Sequence, residues 1–197
     1  MSSKRFNRRP PLREPRKLFV IATEGKETEQ IYFSIFNGDE YRKNVHVQIL
    51  PTRKGESSPQ SVLKRLQQYA SAKGVRPGDE LWVVVDVDRW GEQALNALCQ
   101  TCQQAGYDVA ISNPCFELWL ILHQENPHTP AIAKECEQEM KRLLGRYDKA
   151  EYDTKKLMPH IETAIRHAHR LDQQPHEPWP RDTGTHVYRL VTKLIQK

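Results

Sequence analysis

The chain has 197 residues, a length typical of one compact domain with appendages or of two small domains. Hydrophobic residues make up 38% of the sequence, and no apolar run approaches the roughly 18 residues that a membrane-spanning helix needs, so we expect no membrane segment. The net charge of +5 arises at the beginning of the chain, where the first 17 residues carry seven basic residues and one acid.

The basic arm, residues 1–16, is predicted to be a disordered extension. It contains three prolines and no apolar segment like that of a secretory signal, from which we expect a cytoplasmic location. Clustered basic side chains attract phosphate backbones, although the same composition also serves solubility alone. Both interpretations stay open, and the candidate nucleic-acid-binding residues are Lys4, Arg5, Arg8, Arg9, Arg13 and Arg16.

Four predicted strands make up the framework of the core, residues 17–125. Two of them, at 18–22 and 81–85, are continuous apolar runs, the pattern of strands that are buried on both faces. The other two, at 45–50 and 107–111, are interrupted by polar residues and indicate outer strands.

Helix signals occupy the segments between these strands. Thr28, Ser58 with Pro59, and Gly91 mark three helix starts, and Gly106 marks the end of the third helix. The alternation predicts an α/β fold with a four-stranded parallel sheet of order 2-1-3-4 flanked by helices. Ligands of such sheets bind at the carboxyl ends of the strands, at the switch point between the first and third strands.

Residues 126–197 are predicted to form a helical extension that packs on or beside the core. A buried helix at 115–123 precedes it, and further helices are expected at 131–144, 155–171 and, after a proline-rich break, 185–195. Because its charged residues show no convergence, we expect an interaction surface rather than part of a catalytic site. The last helix is too short to form its own core and must dock, either on its own sheet or on a partner protein or second copy.

The cysteines and histidines show no catalytic or metal-binding pattern. Cys99 and Cys102 form a C-x-x-C on the apolar face of the third predicted helix, which favours core packing over a zinc or thioredoxin-like site. His123 is expected to be buried and hydrogen-bonded. Surface positions are expected for His160, His167 and His169.

Carboxylates follow the two predicted central strands. Glu24 comes directly after the first strand and precedes Gly25, which lets the backbone turn tightly, and Asp86 and Asp88 lie at the end of the third strand. Neighbouring parallel strands end at one edge of the sheet, and residues i and i+2 project to one side, so these carboxylates should converge. Mg²⁺ or Mn²⁺, held with water and substrate phosphate, would relieve their repulsion.

These acids also have ordinary alternatives. Asp88 would cap the third helix, Asp86 would bind a backbone amide or a ribose, and Glu24 would be a solvated loop residue. Glu29 is a candidate fourth ligand, or an acid favoured by the dipole of the first helix. Glu117 lies among large apolar residues, where an acid needs a partner, a metal or a route to solvent, although it also suits a first helical turn.

Three segments resemble the signatures of RloB-like proteins: EGKETEQIYF at 24–33, DVDRW at 86–90 and SNPCFELWLILH at 112–123. That resemblance implies a Toprim-fold nuclease in which a glutamate after the first strand and a D-x-D after the third hold Mg²⁺. Carried over by position, it implies that Glu24 is a metal ligand or general acid/base and that Asp86 and Asp88 are metal ligands. It further implies site roles for Glu29 and Glu117, a prokaryotic anti-phage or restriction-associated context and a partner ATPase of the AAA class.

The favoured hypothesis is a Mg²⁺-dependent nuclease acting on DNA or RNA, with catalytic residues Glu24, Asp86, Asp88 and Glu117. A receiver-like phosphoacceptor domain also places acids around Mg²⁺, but it needs a fifth strand followed by lysine where this sequence turns helical. A non-catalytic adaptor or nucleic-acid-binding subunit of a defence complex is the remaining alternative.

Overall fold

The computed structural model describes residues 16–39, 41, 45–53 and 55–196. Within this part of the chain the strands are β1 Lys17–Thr23, β2 Val45–Leu50, β3 Glu80–Asp86, β4 Asp108–Asn113 and β5 Gly184–Thr185. The α-helices are α1 Thr28–Ser34, α2 Pro59–Lys73, α3 Glu92–Ala105, α4 Phe116–Ile121, α5 Ala133–Leu144, α6 Ile161–Leu171 and α7 Val187–Ile195.

The strands form one mixed sheet of order β2-β1-β3-β4-β5. The first four strands are parallel and stand in the predicted order 2-1-3-4, with β1 and β3 in the centre. The predicted four-stranded, all-parallel sheet is wrong, because β5 pairs antiparallel with the end of β4. The hydroxyls of Ser112 and Thr185 lie 2.8 Å apart across this pair, and the Asn113 amide donates to the Pro180 carbonyl at 3.1 Å. Residues after the proline-rich break thus cover the outer edge of β4.

Several helix boundaries differ from the predicted ones for local reasons. The helix expected at 155–171 begins only at Ile161, after two short 3₁₀ turns, Thr154–Lys156 and Met158–His160. Pro159 lacks the N–H that a continuous helix would need there, although it fits the first turn of the second short segment. Thr185 belongs to β5, yet its hydroxyl accepts a hydrogen bond from the Val187 N–H, as expected of a residue at a helix start.

Helices cover both faces of the sheet and bury a core on each. On one face, α2 and α3 pack against the sheet together with Trp179, and the α3 residues Leu95, Leu98, Cys99 and Cys102 are buried as predicted. On the other face, α1 and α4 to α7 share one cluster of apolar side chains. The segment after residue 125 therefore docks on its own sheet. Among the described residues, no helix combines the length and apolar character that crossing a membrane requires.

Candidate functional site

Glu24 lies at the carboxyl edge of the sheet, where the chain leaves β1. Its backbone N–H continues the hydrogen bonding between β1 and β3, because it donates to the Val84 carbonyl at 2.9 Å. Its side chain is 6% exposed, and Oε2 accepts hydrogen bonds from the Asp86 N–H at 3.2 Å and the Trp90 indole at 2.9 Å. Burial raises the pKa of Glu24, while these two hydrogen bonds lower it. Glu24 therefore packs against the end of β3, and the alternative that it is a solvated loop residue is wrong.

Glu29 is buried in the first turn of α1 and folds back onto Gly25. Its Oε1 accepts a hydrogen bond from the Gly25 N–H at 2.8 Å. A Cβ on Gly25 would overlap the Glu29 carboxylate, so the glycine is needed for this close approach. Burial, with smaller contributions from Glu117 and Glu24, raises the pKa of Glu29 to about 7. The hydrogen bond from Gly25 therefore does not offset the cost of burying the Glu29 carboxylate beside the other acids.

Asp86 and Asp88 differ in their surroundings although they lie two residues apart. The Asp86 Oδ1 is buried and has no hydrogen-bond partner among the described groups. Burial raises the pKa of Asp86 well above its ordinary value, and Glu29, Glu24 and Glu117 raise it further. Asp88 is exposed at the rim, and partial burial of its carboxyl raises its pKa more modestly. Asp88 does not cap the next helix, because Gly91 occupies the cap position of α3.

Glu117 lies in the first turn of α4, is 4% exposed and contacts polar side chains of the same chain. Its Oε1 lies 2.7 Å from the ammonium of Lys149 and accepts a hydrogen bond from the Tyr147 hydroxyl at 3.2 Å. Both partners come from the segment between α5 and α6, about thirty positions along the chain. The buried acid is thereby compensated by a cation whose side chain is itself 54% exposed.

All five predicted site acids line one cavity of about 350 Å³, which we call the acidic cavity. Seven acids border it: Glu24, Glu27, Glu29, Asp86, Asp88, Glu117 and Glu137. Four cations border it as well: Lys26, Arg89, Lys134 and Lys149. The expectation that charged residues after position 125 do not converge is wrong, since two of these cations and one acid come from α5 and the loop after it. No local sequence pattern marks them, because the packing of α5 against α4 brings them to the site.

The residues of the acidic cavity have the chemistry that binds a hard cation. Their side chains are, however, not arranged as the ligands of one ion. Carboxylate oxygens are the ligands that Mg²⁺ and Mn²⁺ prefer, and the Asp86 Oδ1 is left without a partner. In the part of the chain that the structure describes, no group of three or more acidic, histidine or cysteine side chains is arranged to hold a metal ion. The side chains of Glu24, Glu29 and Glu117 are instead engaged with protein donors. The residue types fit a metal, and their side chains would have to reorient around it.

The remaining candidates have structural positions. His123 is buried as expected, with its two ring nitrogens 3.0 Å from the Trp119 carbonyl and 3.2 Å from the Tyr32 hydroxyl, and burial lowers its pKa to about 4. His160 and His167 are partly buried rather than at the surface, and the His167 ring is hydrogen-bonded to the Leu122 carbonyl, whereas His169 is exposed as expected. Of the arm, Arg16 is exposed, and the other candidates lie outside the described residues: Lys4, Arg5, Arg8, Arg9 and Arg13.

Fold and site together define an α/β protein with an acidic cavity at the carboxyl ends of its central parallel strands. The sequence model of the RloB-like protein family matches residues 19–194, which include all of the sheet apart from the first two residues of β1. The chain therefore belongs to the RloB-like family. No curated protein and no solved structure matches it significantly.

Proposed function

We propose that this protein is a Mg²⁺- or Mn²⁺-dependent nuclease that hydrolyses phosphodiester bonds of DNA or RNA at the acidic cavity. The observation that carries the proposal is the meeting of Glu24, Glu29, Asp86, Asp88 and Glu117, from three separate segments of the sequence, on one cavity. In open α/β sheets this edge, beside the point where the strand order reverses, is where ligands bind. The acids after the first and third strands also suit a Toprim-like catalytic core.

The raised pKa values of Asp86 and Glu29 support a cation-binding site. Asp86 and Glu29 carry raised pKa values chiefly because burial and neighbouring carboxylates disfavour their ionised forms. A crowd of acids costs stability unless a positive charge is added, and such strain is typical of functional sites. Lys149 pairs directly with Glu117, and Arg89 and Lys149 offset part of the charge of Asp88 at a distance. A divalent ion would supply the rest.

Each side chain has a distinct role in this proposal. Asp86, Asp88 and Glu24 would hold the metal, with Glu29 as a further ligand or a proton acceptor. A bound metal supplies a water of lowered pKa and stabilises charge on the phosphate oxygens. Trp90 and the Asp86 N–H hold Glu24 at the strand end. Lys149 borders the cavity with a half-exposed side chain and would contact a phosphate oxygen of the substrate.

The wider setting belongs to the same proposal. The resemblance to RloB-like proteins suggests action in prokaryotic anti-phage defence with an AAA-type ATPase, and the basic arm would add sequence-independent affinity for nucleic acid. A non-catalytic adaptor of such a complex is the second candidate. It is favoured by one observation: Glu24, Glu29 and Glu117 are engaged with protein donors, and in the described chain no three acids are arranged to hold a metal ion.

Cleavage of labelled single-stranded DNA and RNA in Mn²⁺, together with calorimetric titration of Mn²⁺, tests the proposal. We expect the variant Asp86→Asn to lose both metal binding and cleavage while keeping its fold. Glu162→Gln is the matched control, because Glu162 is an exposed acid on α6 away from the cavity. Mn²⁺ binding and cleavage that survive in Asp86→Asn would refute the site. Metal binding without cleavage, also in the presence of the ATPase, would favour the adaptor.

A further inference from the structure

A second cavity of about 350 Å³ lies at the carboxyl end of β2, beside the first turns of α2. We call it the basic cavity, because three cations and one acid line it. Its charged residues are Arg53, Lys64, Arg65 and Glu56, and its polar residues are Ser61 and Gln68. Nothing in the sequence pattern marked it, since its cations come from a loop and from one face of α2.

Arg65 is the fixed element of the basic cavity. Its guanidinium donates to the backbone carbonyls of Glu56 and Thr23 and, at 3.1 Å, to the Thr52 hydroxyl. Its Nε is buried and has no partner among the described groups. The guanidinium is held by carbonyls, and the Glu56 carboxylate of the same cavity acts on it only at a distance, without a direct ion pair among the described residues. The charge is therefore available to an anion.

Arg53 and Lys64 are exposed and make no ion pair with any residue that the structure describes. Lys64 stands one position before Arg65 on α2, and Arg53 lies in the loop after β2. Two flexible cations beside a rigid one form a surface that can adapt to successive phosphates along a strand.

The basic cavity lies next to the acidic cavity. Arg65 contacts the carbonyl of Thr23, the residue before Glu24. The Thr52 hydroxyl lies 2.8 Å from the same carbonyl and 3.2 Å from that of Gly25. Glu56 lines the basic cavity and the next residue, Ser57, lines the acidic one. The two cavities are thus separated by a single turn of chain.

We propose that the basic cavity binds the phosphodiester backbone of a nucleic-acid strand next to the phosphate that is cleaved in the acidic cavity, an inference that rests on the proposed nuclease function. A strand carries one negative charge per nucleotide, and the excess of acids over cations at the acidic cavity repels it. Binding there needs neighbouring cations that neutralise the adjoining phosphates. The basic cavity supplies three of them on the β2 side of the Glu24–Gly25 turn.

The test uses the full chain in EDTA, where neither metal binding nor cleavage contributes. Fluorescence anisotropy of labelled oligothymidylate and oligouridylate over a salt series gives the affinity and its salt dependence. For Arg53→Ala/Lys64→Ala, two lost phosphate contacts should lower the slope of log K against log salt by about 1.4 and the affinity at 0.1 M salt by about 25-fold. Arg65 is left in place because it holds the backbone turn. The two probes distinguish DNA from RNA.

Lys73→Ala/Arg76→Ala is the matched control, because it removes two exposed cations at and beyond the opposite end of α2. We expect it to keep affinity and slope. Equal effects of the two double variants, or no effect of Arg53→Ala/Lys64→Ala, would overturn the basic cavity as a binding site. If that variant loses binding as expected but the unsubstituted protein neither binds Mn²⁺ nor cleaves, the phosphate site stands and the nuclease proposal fails.

Discussion

Replacing Glu29 with glutamine tests whether the acids of the cavity destabilise the metal-free fold. Glutamine keeps the shape of the side chain, and its amide oxygen can still accept the hydrogen bond from the Gly25 N–H. The substitution removes the charge from a residue that is 5% exposed. Its effect on stability therefore reports the free energy of burying the Glu29 carboxylate.

The magnitude follows from the pKa of Glu29, which burial raises from 4.5 to about 7. Because the folded-state pKa lies above the unfolded one, the protonated acid contributes stability that is fully present below pH 4.5 and is lost as the pH rises through 7. One pKa unit corresponds to about 1.4 kcal/mol, so the loss amounts to about 3 kcal/mol at pH 8 and less than about 1 kcal/mol at pH 5.

Urea unfolding in EDTA at both pH values is the assay. At pH 8, the free energy of unfolding of Glu29→Gln should exceed that of the unsubstituted protein by about 3 kcal/mol, which corresponds to about 6 to 12 °C in Tm. At pH 5 the difference should be small. Glu27→Gln is the control, because Glu27 lines the same cavity but is exposed, and its change should stay within about 0.5 kcal/mol. An equal gain at both pH values, or no gain at pH 8, would refute the reasoning.

Adding Mn²⁺ should narrow the stability difference between the two proteins. A metal at 100 times its Kd stabilises a folded protein by about 2.7 kcal/mol, and ligands must lose their protons to bind it. The unsubstituted protein should gain more stability from Mn²⁺ than Glu29→Gln, and its Mn²⁺ affinity should rise with pH through 7, the pKa of Glu29. A Mn²⁺ affinity that is independent of pH would contradict Glu29 as a ligand.

The double variant Asp86→Ala/Asp88→Ala should melt in EDTA at the same or a higher temperature than the unsubstituted protein, because two mutually repelling acids are removed, and calorimetry should detect no Mn²⁺ binding. Undiminished Mn²⁺ binding would contradict the metal site. Deleting residues 1–16 should weaken oligonucleotide binding and flatten its salt slope by about 0.7 to 0.9 per lost contact, whereas an unchanged slope would leave the arm a solubilising tail. Ending the chain before Pro175 should lower the melting temperature by several degrees or prevent folding, because α7 belongs to the core; unchanged melting would contradict that packing.

The central part of the fold was predictable from local patterns in the sequence. The continuous apolar runs at β1 and β3 have the pattern of strands buried on both faces, and the structure places them side by side in the centre of the sheet. Once they are neighbours, Glu24 and Asp86 must lie close, since parallel strands end at one edge. That reasoning located the acidic cavity, because strand direction alone decides where those side chains emerge.

The partners that complete the site depend on contacts between distant segments. Lys149 reaches Glu117 from a position about thirty residues further along, and Gly184 and Thr185 add a strand too short to show any alternation. The packing of α5 to α7 against the sheet determines the position of Lys149 and the pairing of β5. An amphipathic pattern predicts that one face of a helix is buried, but it does not predict which surface that face packs against.

The sequence by itself determined the strand order at the centre, the edge where the acids gather and the RloB-like signatures. Only the tertiary structure decided which acids are buried with raised pKa values, which one is compensated by lysine, and that a basic cavity adjoins them. The physical reason is that hydrophobic periodicity is a local property, readable along the chain, whereas the pKa of a carboxyl group depends on burial and on charges that folding brings from remote positions.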